Sequence, residues 1–148
     1  LMLYGVSPFA ERSALDLGLK PVMTVKAPVL SVKMVQAGSG VGYGQTWVAT
    51  EDTPVATIGI GYGDGYPREV EGATVSINGI ACPVIGRVSM DMLAADLRPL
   101  QGEHPAVGSM ACIWGKGSPV EQLALASNTI PYTLLTRLAS RVRFKEED

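Results

Sequence analysis

The segment Thr74-Val75-Ser76-Ile77-Asn78-Gly79-Ile80-Ala81-Cys82-Pro83-Val84-Ile85 decides the fold class. Two runs of mainly β-branched and small apolar residues flank the dipeptide Asn78-Gly79, the sequence most typical of a two-residue type I′ hairpin turn. Asn-Gly suits this turn because both of its central residues need positive φ angles. The segment therefore predicts an antiparallel β-hairpin.

Further short apolar runs surround this hairpin on both sides. Residues 25–35 alternate with a period of two, which is typical of a strand with one buried face. The other runs, bounded mostly by glycine or acidic turns, are residues 1–6, 46–50, 54–60, 88–97 and 108–115. So many short strands are typical of a closed or nearly closed β-domain, and we predict a mainly β, small barrel-like fold of about seven strands. Trp47 and Trp114 lie within these runs and are expected in the core.

The apolar period changes after Ser118-Pro119, where two helices are predicted. Residues 120–127 are rich in alanine and leucine, with Ser118 suited to the N-cap and Pro119 to the first turn. Residues 129–142 form a second helical pattern, whose apolar positions on one side are Leu134, Leu135, Leu138 and Val142. The predicted fold is therefore a mainly β domain with two short C-terminal helices.

Composition limits the function classes. Of the 148 residues, 47% are hydrophobic and 18% are charged, with a net charge of −2, so we expect a packed core and no nucleic-acid binding. Cys82 and Cys112 have no paired spacing, which argues against a disulfide or a metal site and suits a reducing cytoplasm. No apolar run is long enough to span a membrane. The chain opens on an apolar stretch without a signal-peptide pattern, so we expect a fragment of a longer protein.

Two glycine-rich segments each hold a tyrosine. Tyr43 lies in Gly42-Tyr43-Gly44, and Tyr62 lies in Gly59-Ile60-Gly61-Tyr62-Gly63-Asp64-Gly65-Tyr66-Pro67-Arg68. Glycine lets backbone or ligand approach closely, and a phenol, with a reference pKa of ~10, can carry a proton. The first segment lacks the Lys-Ser/Thr of a phosphate loop, and a bulged strand turn is its simpler interpretation. The second is harder to explain as a turn alone, although Asp64 suits an Asx-turn.

Other polar residues have ordinary interpretations. Arg87, in Gly86-Arg87-Val88-Ser89-Met90-Asp91, would form a surface ion pair with Asp91. His104 is the single histidine, lies in a polar loop and is expected to be solvated. A Ser-His-Asp or Cys-His arrangement is therefore not expected.

Taken together, these strings resemble the C-terminal part of the alanine racemase family, which are pyridoxal-phosphate enzymes. Gly42-Tyr43-Gly44 resembles the family's catalytic tyrosine motif, and residues 61–68 and 86–91 are similar to its two most distinctive sequences. Pro131-Tyr132 and the residues that follow resemble its C-terminal helix. Leu3-Tyr4-Gly5 is similar to the segment that closes its barrel domain.

The resemblance implies a two-domain enzyme. Family members have an N-terminal α/β barrel that holds the cofactor and a C-terminal β-domain, and each site of the homodimer borrows residues from the partner's β-domain. Residues 1–24 would then be the end of the barrel domain and a linker, 25–143 the β-domain and 144–148 a solvated tail. The implied activity is a cytoplasmic isomerase that interconverts L- and D-alanine and so supplies a cell-wall precursor.

The resemblance also implies roles for individual residues. Tyr43 would be the base on one face of the substrate α-carbon, opposite a lysine on the other face. The backbone N–H of Met90 would meet the substrate carboxylate. Tyr132 would hydrogen-bond the cofactor phosphate and, with Tyr43, narrow the entrance. The other matched positions would line the site and its access corridor, and they are Tyr62, Arg68, Arg87, Asp91 and Ile130.

The chain also departs from the family's pattern. The lysine that binds the cofactor is not matched, because Lys20, Lys26 and Lys33 lie in segments unlike its motif. The arginine that faces the pyridine nitrogen is not matched either. We therefore expect this chain to be inactive alone and to need the missing barrel domain. Gly42 and Gly63 stand where serine and alanine are frequent, and neither change removes a functional group.

Two other interpretations stay open at this point. The chain would be the β-domain of a related pyridoxal-phosphate amino-acid decarboxylase if a cysteine-bearing motif lay at the dimer site, but Cys82 and Cys112 have no such setting. Alternatively, a non-catalytic β-barrel interaction module would leave Tyr43, Tyr62 and Met90 scattered rather than gathered on one exposed concave face.

Overall fold

The computed structural model describes residues 1–9 and 11–146 and contains a closed antiparallel β-barrel. The barrel strands are β1 (Val25–Val35), β4 (Thr53–Ile58), β5 (Thr74–Ile77), β6 (Ile80–Ile85), β7 (Leu93–Asp96) and β8 (Met110–Trp114). Their order around the barrel is β1-β4-β7-β6-β5-β8, and β1 closes it by pairing with both β4 and β8. Outside the barrel, β2 (Gly40–Val41) and β3 (Trp47–Val48) form a small hairpin. The predicted mainly β, barrel-like fold is confirmed.

A single long strand turns the corner that closes the barrel. The first part of β1 pairs with β8, from Val25 opposite Trp114 to Pro28 opposite Met110, and its second part pairs with β4. The register of β1 shifts between Val29 and Ser31. Such an irregularity bends a strand and increases its twist, which lets one strand serve two neighbours.

The hairpin read from the sequence forms with the predicted turn. Ile77 pairs with Ile80, and Asn78 and Gly79 have φ angles of 52° and 80°. The strands alternate, so that one face enters the core. The inward side chains of this hairpin are Val75, Ile77 and Cys82, and the partly buried Val84 packs against the same core.

The two helices pack against the core but differ in detail from the prediction. They are α1 (Val120–Ala126) and α2 (Pro131–Thr136), and they bury Leu123 and Leu134. Pro119 takes the N-cap position of α1, while the hydroxyl of Ser118 donates to the Ile113 carbonyl at 3.4 Å. Ser118 is therefore not the cap that the sequence predicted.

The second helix is shorter than residues 129–142. It ends at Thr136, because the Ala139 N–H donates to the Asp64 carbonyl at 3.0 Å instead of to a carbonyl one turn earlier. This tertiary hydrogen bond thus replaces the one that would have continued the helix. The segment beyond α2 reaches the loop that carries Tyr62.

Two strand predictions and one core prediction are wrong, wholly or in part. Residues 1–6 form no strand; Met2–Tyr4 is a 3₁₀ turn that Gly5 ends with a φ of 73°. Within residues 88–97 only β7 is extended, because the stretch before it folds into a tight turn. Trp47 is half-buried in the small hairpin, whereas Trp114 is buried in the core as predicted.

Among the described residues, no helix is long and apolar enough to cross a membrane, and no cluster of acidic, histidine or cysteine side chains is arranged to hold a metal ion. Residues 144–146 are exposed, whereas 147 and 148 of the predicted tail lie outside the described residues.

A buried tyrosine gives the first test of this core. Tyr66 is 1% exposed, its hydroxyl makes no hydrogen bond to the described residues, and burial raises the pKa of its phenol above the ordinary 10.0. We expect Tyr66→Phe to leave stability at pH 7 unchanged or raise it by about 1 kcal/mol, because no hydrogen bond is lost. A drop of several kcal/mol in a urea titration would show that the hydroxyl has a partner.

The same residue affects stability at alkaline pH. Because the pKa of this phenol is higher in the folded state than in the unfolded state, its contribution to stability is fully present below about pH 10. That contribution is lost as the pH rises further. Cys82 acts in the same direction from about pH 9, because burial, aided by the charge of Asp96, raises its pKa to about 11. Tyr66→Phe should therefore flatten only the part of the decline above pH 10, measured by thermal melts between pH 7 and pH 11.

Candidate active site

The Tyr43 turn projects from the small β2–β3 hairpin. Gly42 and Gly44, on either side of Tyr43, have φ angles of 79° and 72°, which only glycine adopts easily. The segment is thus a strand turn, and its geometry leaves the Tyr43 ring 70% exposed. A phenol presented in this way is free to meet a ligand or another protein surface.

The Tyr62 turn follows β4 and is closed by its own aspartate. The Gly61 N–H donates to the Asp64 carboxylate at 2.9 Å, and Gly65 ends the turn with a φ of 105°. The Asx-type role suggested for Asp64 is therefore present. Tyr62 itself is 45% exposed.

The Met90 turn lies between β6 and β7. The Ser89 N–H donates to the Met92 carbonyl at 2.9 Å, and the Met92 N–H donates to the Ser89 hydroxyl at 3.2 Å. This closed turn is the reason that the predicted strand begins only at Leu93. The Met90 N–H donates no hydrogen bond to any residue that the structure describes, so it is a backbone donor left for an external acceptor.

Backbone hydrogen bonds join the Tyr62 turn to the Met90 turn. The Tyr62 N–H donates to the Ser89 carbonyl at 3.1 Å, and the Gly63 N–H donates to the Met90 carbonyl at 2.8 Å. The approach depends on glycine, since a Cβ at Gly61 would lie 2.3 Å from the Ser89 carbonyl oxygen. Tyr62 and Met90 are therefore held side by side.

The Tyr43 turn reaches the same place through a second crossing of glycines. A Cβ at Gly42 would lie 2.7 Å from the Arg87 nitrogen, and a Cβ at Gly86 would lie 2.5 Å from the Val41 oxygen. Only bare backbones can cross this closely. The crossing brings Tyr43 beside Arg87, in the loop that leads to Met90.

A groove of about 340 Å³ lies along this crossing. Tyr43, Arg87 and Ser89 form part of its wall, and Lys33 of β1 adds a cation. The segment around Lys33 does not match the family's lysine motif. Its place beside Tyr43 follows from the pairing of β1 with β4, which no local motif reveals.

Two groups of charges surround these turns. Glu69 Oε1 lies 3.9 Å from Arg68 Nη1 and 3.6 Å from Arg87 Nε. The two arginines predicted to line the corridor therefore share one carboxylate. Asp91 pairs with Arg141 at 2.7 Å rather than with Arg87, which corrects the ordinary interpretation of that pair. The sequence analysis assigned no role to Glu69 or Arg141, because the contacts of Glu69 with Arg87 and of Arg141 with Asp64 and Asp91 join residues that are distant along the chain.

Arg141 also binds a second carboxylate. Its Nε lies 2.7 Å from Asp64, and the hydrogen bond to Asp91, with that to Asp64, raises the pKa of Arg141 above its ordinary value. Ile130 and Tyr132 lie at the start of α2 and are each about half exposed. Residues 137–141, which follow α2, pack on the Tyr62 turn and so connect this element to the site.

The site therefore combines three turns on one exposed surface. Its largest exposed apolar side chains are Tyr43, Tyr62, Met90 and Met92. This gathering argues against the interaction module, which predicts scatter. The cysteines give no support to the decarboxylase alternative, since Cys82 is fully buried in β6 and Cys112 lies in β8, whose pairing partners are β1 and β5.

Comparison with known proteins identifies the family of this chain. Residues 22–145 match the family model described as alanine racemase, C-terminal domain, and the chain belongs to that family. It is 50% identical over 143 residues to an alanine racemase of Vibrio vulnificus strain CMCP6, an alignment that covers 96% of this chain and 39% of that protein.

Solved structures give the same relationship. The biosynthetic alanine racemase of Pseudomonas aeruginosa superposes with a TM-score of 0.91 at 42% identity, covering 98% of this chain and 41% of that one. An alanine racemase from Bartonella henselae, with covalently bound pyridoxal phosphate, superposes with a TM-score of 0.82 at 35% identity over 95% of this chain and 38% of its own. The chain thus spans about two fifths of the length of the relatives that it matches.

Proposed function

We propose that this chain supplies one half of the active site of an alanine racemase that uses pyridoxal phosphate. The observation that carries the proposal is the convergence of the Tyr43, Tyr62 and Met90 turns on one exposed surface, in a chain that belongs to the C-terminal domain family. A surface of this kind is incomplete by itself. The missing half would come from a barrel domain, and in a homodimer from the barrel of the partner.

The residues present fit one side of such a site. Racemisation needs a proton removed from one face of the α-carbon and returned to the other, and an exposed phenol presented on a turn suits one of the two faces. The free Met90 N–H suits a substrate carboxylate, because a backbone N–H is a strong donor to an anion. A phenol is a weak base, so Tyr43 requires a cofactor that acidifies the α-hydrogen by withdrawing electrons.

The cofactor itself would be held mainly outside this chain. Tyr132 offers a half-exposed phenol O–H that suits a phosphate oxygen. Tyr62, Ile130 and Asp91 would line the substrate site, and Arg68 and Arg87 would give the access corridor a positive charge. The lysine on the opposite face would belong to the barrel domain, so this chain alone would be inactive. The cytoplasm remains our proposal for its location, in keeping with two free cysteines.

Reconstitution with a barrel domain tests this function. The complete protein, or this chain produced together with the missing barrel, is expected to interconvert L- and D-alanine in the presence of pyridoxal phosphate. The chain alone should show neither activity nor an absorbance band from bound cofactor that survives dialysis. A complete protein that binds the cofactor but decarboxylates amino acids, or does not act on alanine, would contradict the proposal.

A further inference from the structure

The Arg141 guanidinium lies between the turns that carry Tyr62 and Met90. Its Nε is 2.7 Å from Asp64 Oδ1, and its Nη2 is 2.7 Å from Asp91 Oδ1. Asp64 belongs to the Tyr62 turn, and Asp91 directly follows Met90. One cation therefore joins the two turns through two different carboxylates.

The backbone before Arg141 is fixed to the same turn. The Ala139 N–H donates to the Asp64 carbonyl at 3.0 Å. Gly65 allows the contact to be close, since a Cβ there would lie 2.5 Å from the Arg137 carbonyl oxygen. The guanidinium is thus delivered by a segment that has little freedom to move away.

Gly63 lets the guanidinium pack against the junction of the two turns. A Cβ at Gly63 would lie 2.5 Å from Arg141 Nη2 and 2.9 Å from the Met90 carbonyl oxygen, which accepts the Gly63 N–H. The guanidinium therefore lies against the backbone hydrogen bond between Gly63 and Met90, which sets the distance between Tyr62 and Met90.

Stability is not the main effect expected of this cluster. The side chains of Arg141 and Asp91 are 45% and 57% exposed, and exposed ion pairs contribute little to folding, whereas Asp64 is the more buried partner, at 18% exposure. A guanidinium is nevertheless rigid and planar, and its separate N–H groups fix the directions of two carboxylates at once. Such a group is better suited to holding geometry than to supplying stability.

We propose that Arg141 is a positioning residue that fixes the Met90 N–H for the substrate carboxylate. Arg141 pairs with both Asp64 and Asp91 and so holds the Met90 turn beside the Tyr62 turn. The free N–H of Met90 then points in one direction. This inference rests on the proposed racemase function and deepens it by naming what sets the affinity for the amino-acid carboxylate.

Substitution of Arg141 in the complete protein tests the proposal. Arg141→Gln should raise KM for alanine by roughly tenfold and leave kcat within about threefold, because a carboxylate contact made equally in ground and transition states affects binding alone. Arg141→Lys should recover only part of the loss, since an ammonium group does not reproduce the two-directional fork.

The matched control is Arg143→Gln. Arg143 is exposed, lies two residues further on and makes no ion pair with any residue in the described part of the chain. The substitution Arg143→Gln removes the same charge from the same segment and should leave KM for alanine unchanged. The double variant with Asp91→Asn and Arg141→Gln should raise KM for alanine by no more than the more severe of the two single substitutions does, because both act through one contact.

Hydrogen exchange gives a readout that does not depend on activity. Arg141→Gln should speed amide exchange in residues 61–65 and 89–92 of the complete protein, and Arg143→Gln should not. Unchanged KM and unchanged exchange overturn the proposal, and so does a lowered melting temperature with KM unchanged. If the unaltered complete protein does not racemise alanine, the proposed function fails and takes the substrate role of Arg141 with it, while the exchange data still report whether Arg141 joins the turns.

Discussion

Tyr43→Phe in the complete protein is expected to lower the rate of alanine racemisation by ~10²–10⁴-fold. The change removes one oxygen from a ring that is 70% exposed, so the fold has little to lose. The catalytic loss is that of a general acid–base group and corresponds to ~3–5 kcal/mol of barrier. Steady-state rates in both directions, with a melting curve for each protein, measure the effect.

The loss should differ between the two faces of the substrate. Exchange of the α-proton with solvent should persist for the enantiomer served by the lysine and nearly vanish for the enantiomer served by Tyr43. Tyr4→Phe is a suitable control, because Tyr4 is half exposed and lies in the 3₁₀ turn at the start of the chain. If Tyr43→Phe racemises normally but unfolds earlier, Tyr43 is a packing residue and the proposed mechanism is wrong.

The fold was largely predictable because local chemistry decides it. Asn78-Gly79 specifies a turn that few other dipeptides form easily, and the alternating strands around it need only one buried face. One error falls where a distant contact overrides a local pattern. Residues 139–142 have a helical apolar pattern, but the Asp64 carbonyl accepts the Ala139 N–H. A second error has a local cause, because hydrogen bonds between Ser89 and Met92 close a turn within a run that has the composition of a strand.

The site was predictable only as far as its motifs extend. Tyr43, Tyr62 and Met90 stand in recognisable strings, so the sequence alone identifies them as site residues, without information on their proximity. Glu69 directly follows the string that ends at Arg68, and Arg141 stands in the segment that resembles the family's C-terminal helix. No motif, however, shows that Glu69 contacts Arg87 or that Arg141 pairs with Asp64 and Asp91. Lys33 matches no motif of the family, although the barrel places it in the groove beside Tyr43. The proximity of such residues to the site can be identified only from the folded barrel, in which the register of the strands is known.

The crossing of Gly42 and Gly86 gives the second large effect. Gly86→Ala in the complete protein is expected to lower kcat/KM by about 10²-fold, the loss that a misplacement of about 1 Å can cause. The reason is steric, because the new Cβ would lie 2.5 Å from the Val41 oxygen and 3.2 Å from the Gly42 Cα. Backbone cannot rotate aside as a side chain can, so the Tyr43 turn must move away from Arg87.

Gly72→Ala separates this displacement from backbone strain. Gly72 and Gly86 have φ angles of 71° and 67°, so alanine is strained at both, by ~1–2 kcal/mol. Nothing lies within 4 Å of a Cβ at Gly72. Both variants should therefore melt earlier than the unaltered protein, but only Gly86→Ala should lose activity well below its melting temperature. Equal activity in the two variants would mean that the crossing does not position Tyr43, and that the turn finds its place by contact with the barrel domain instead.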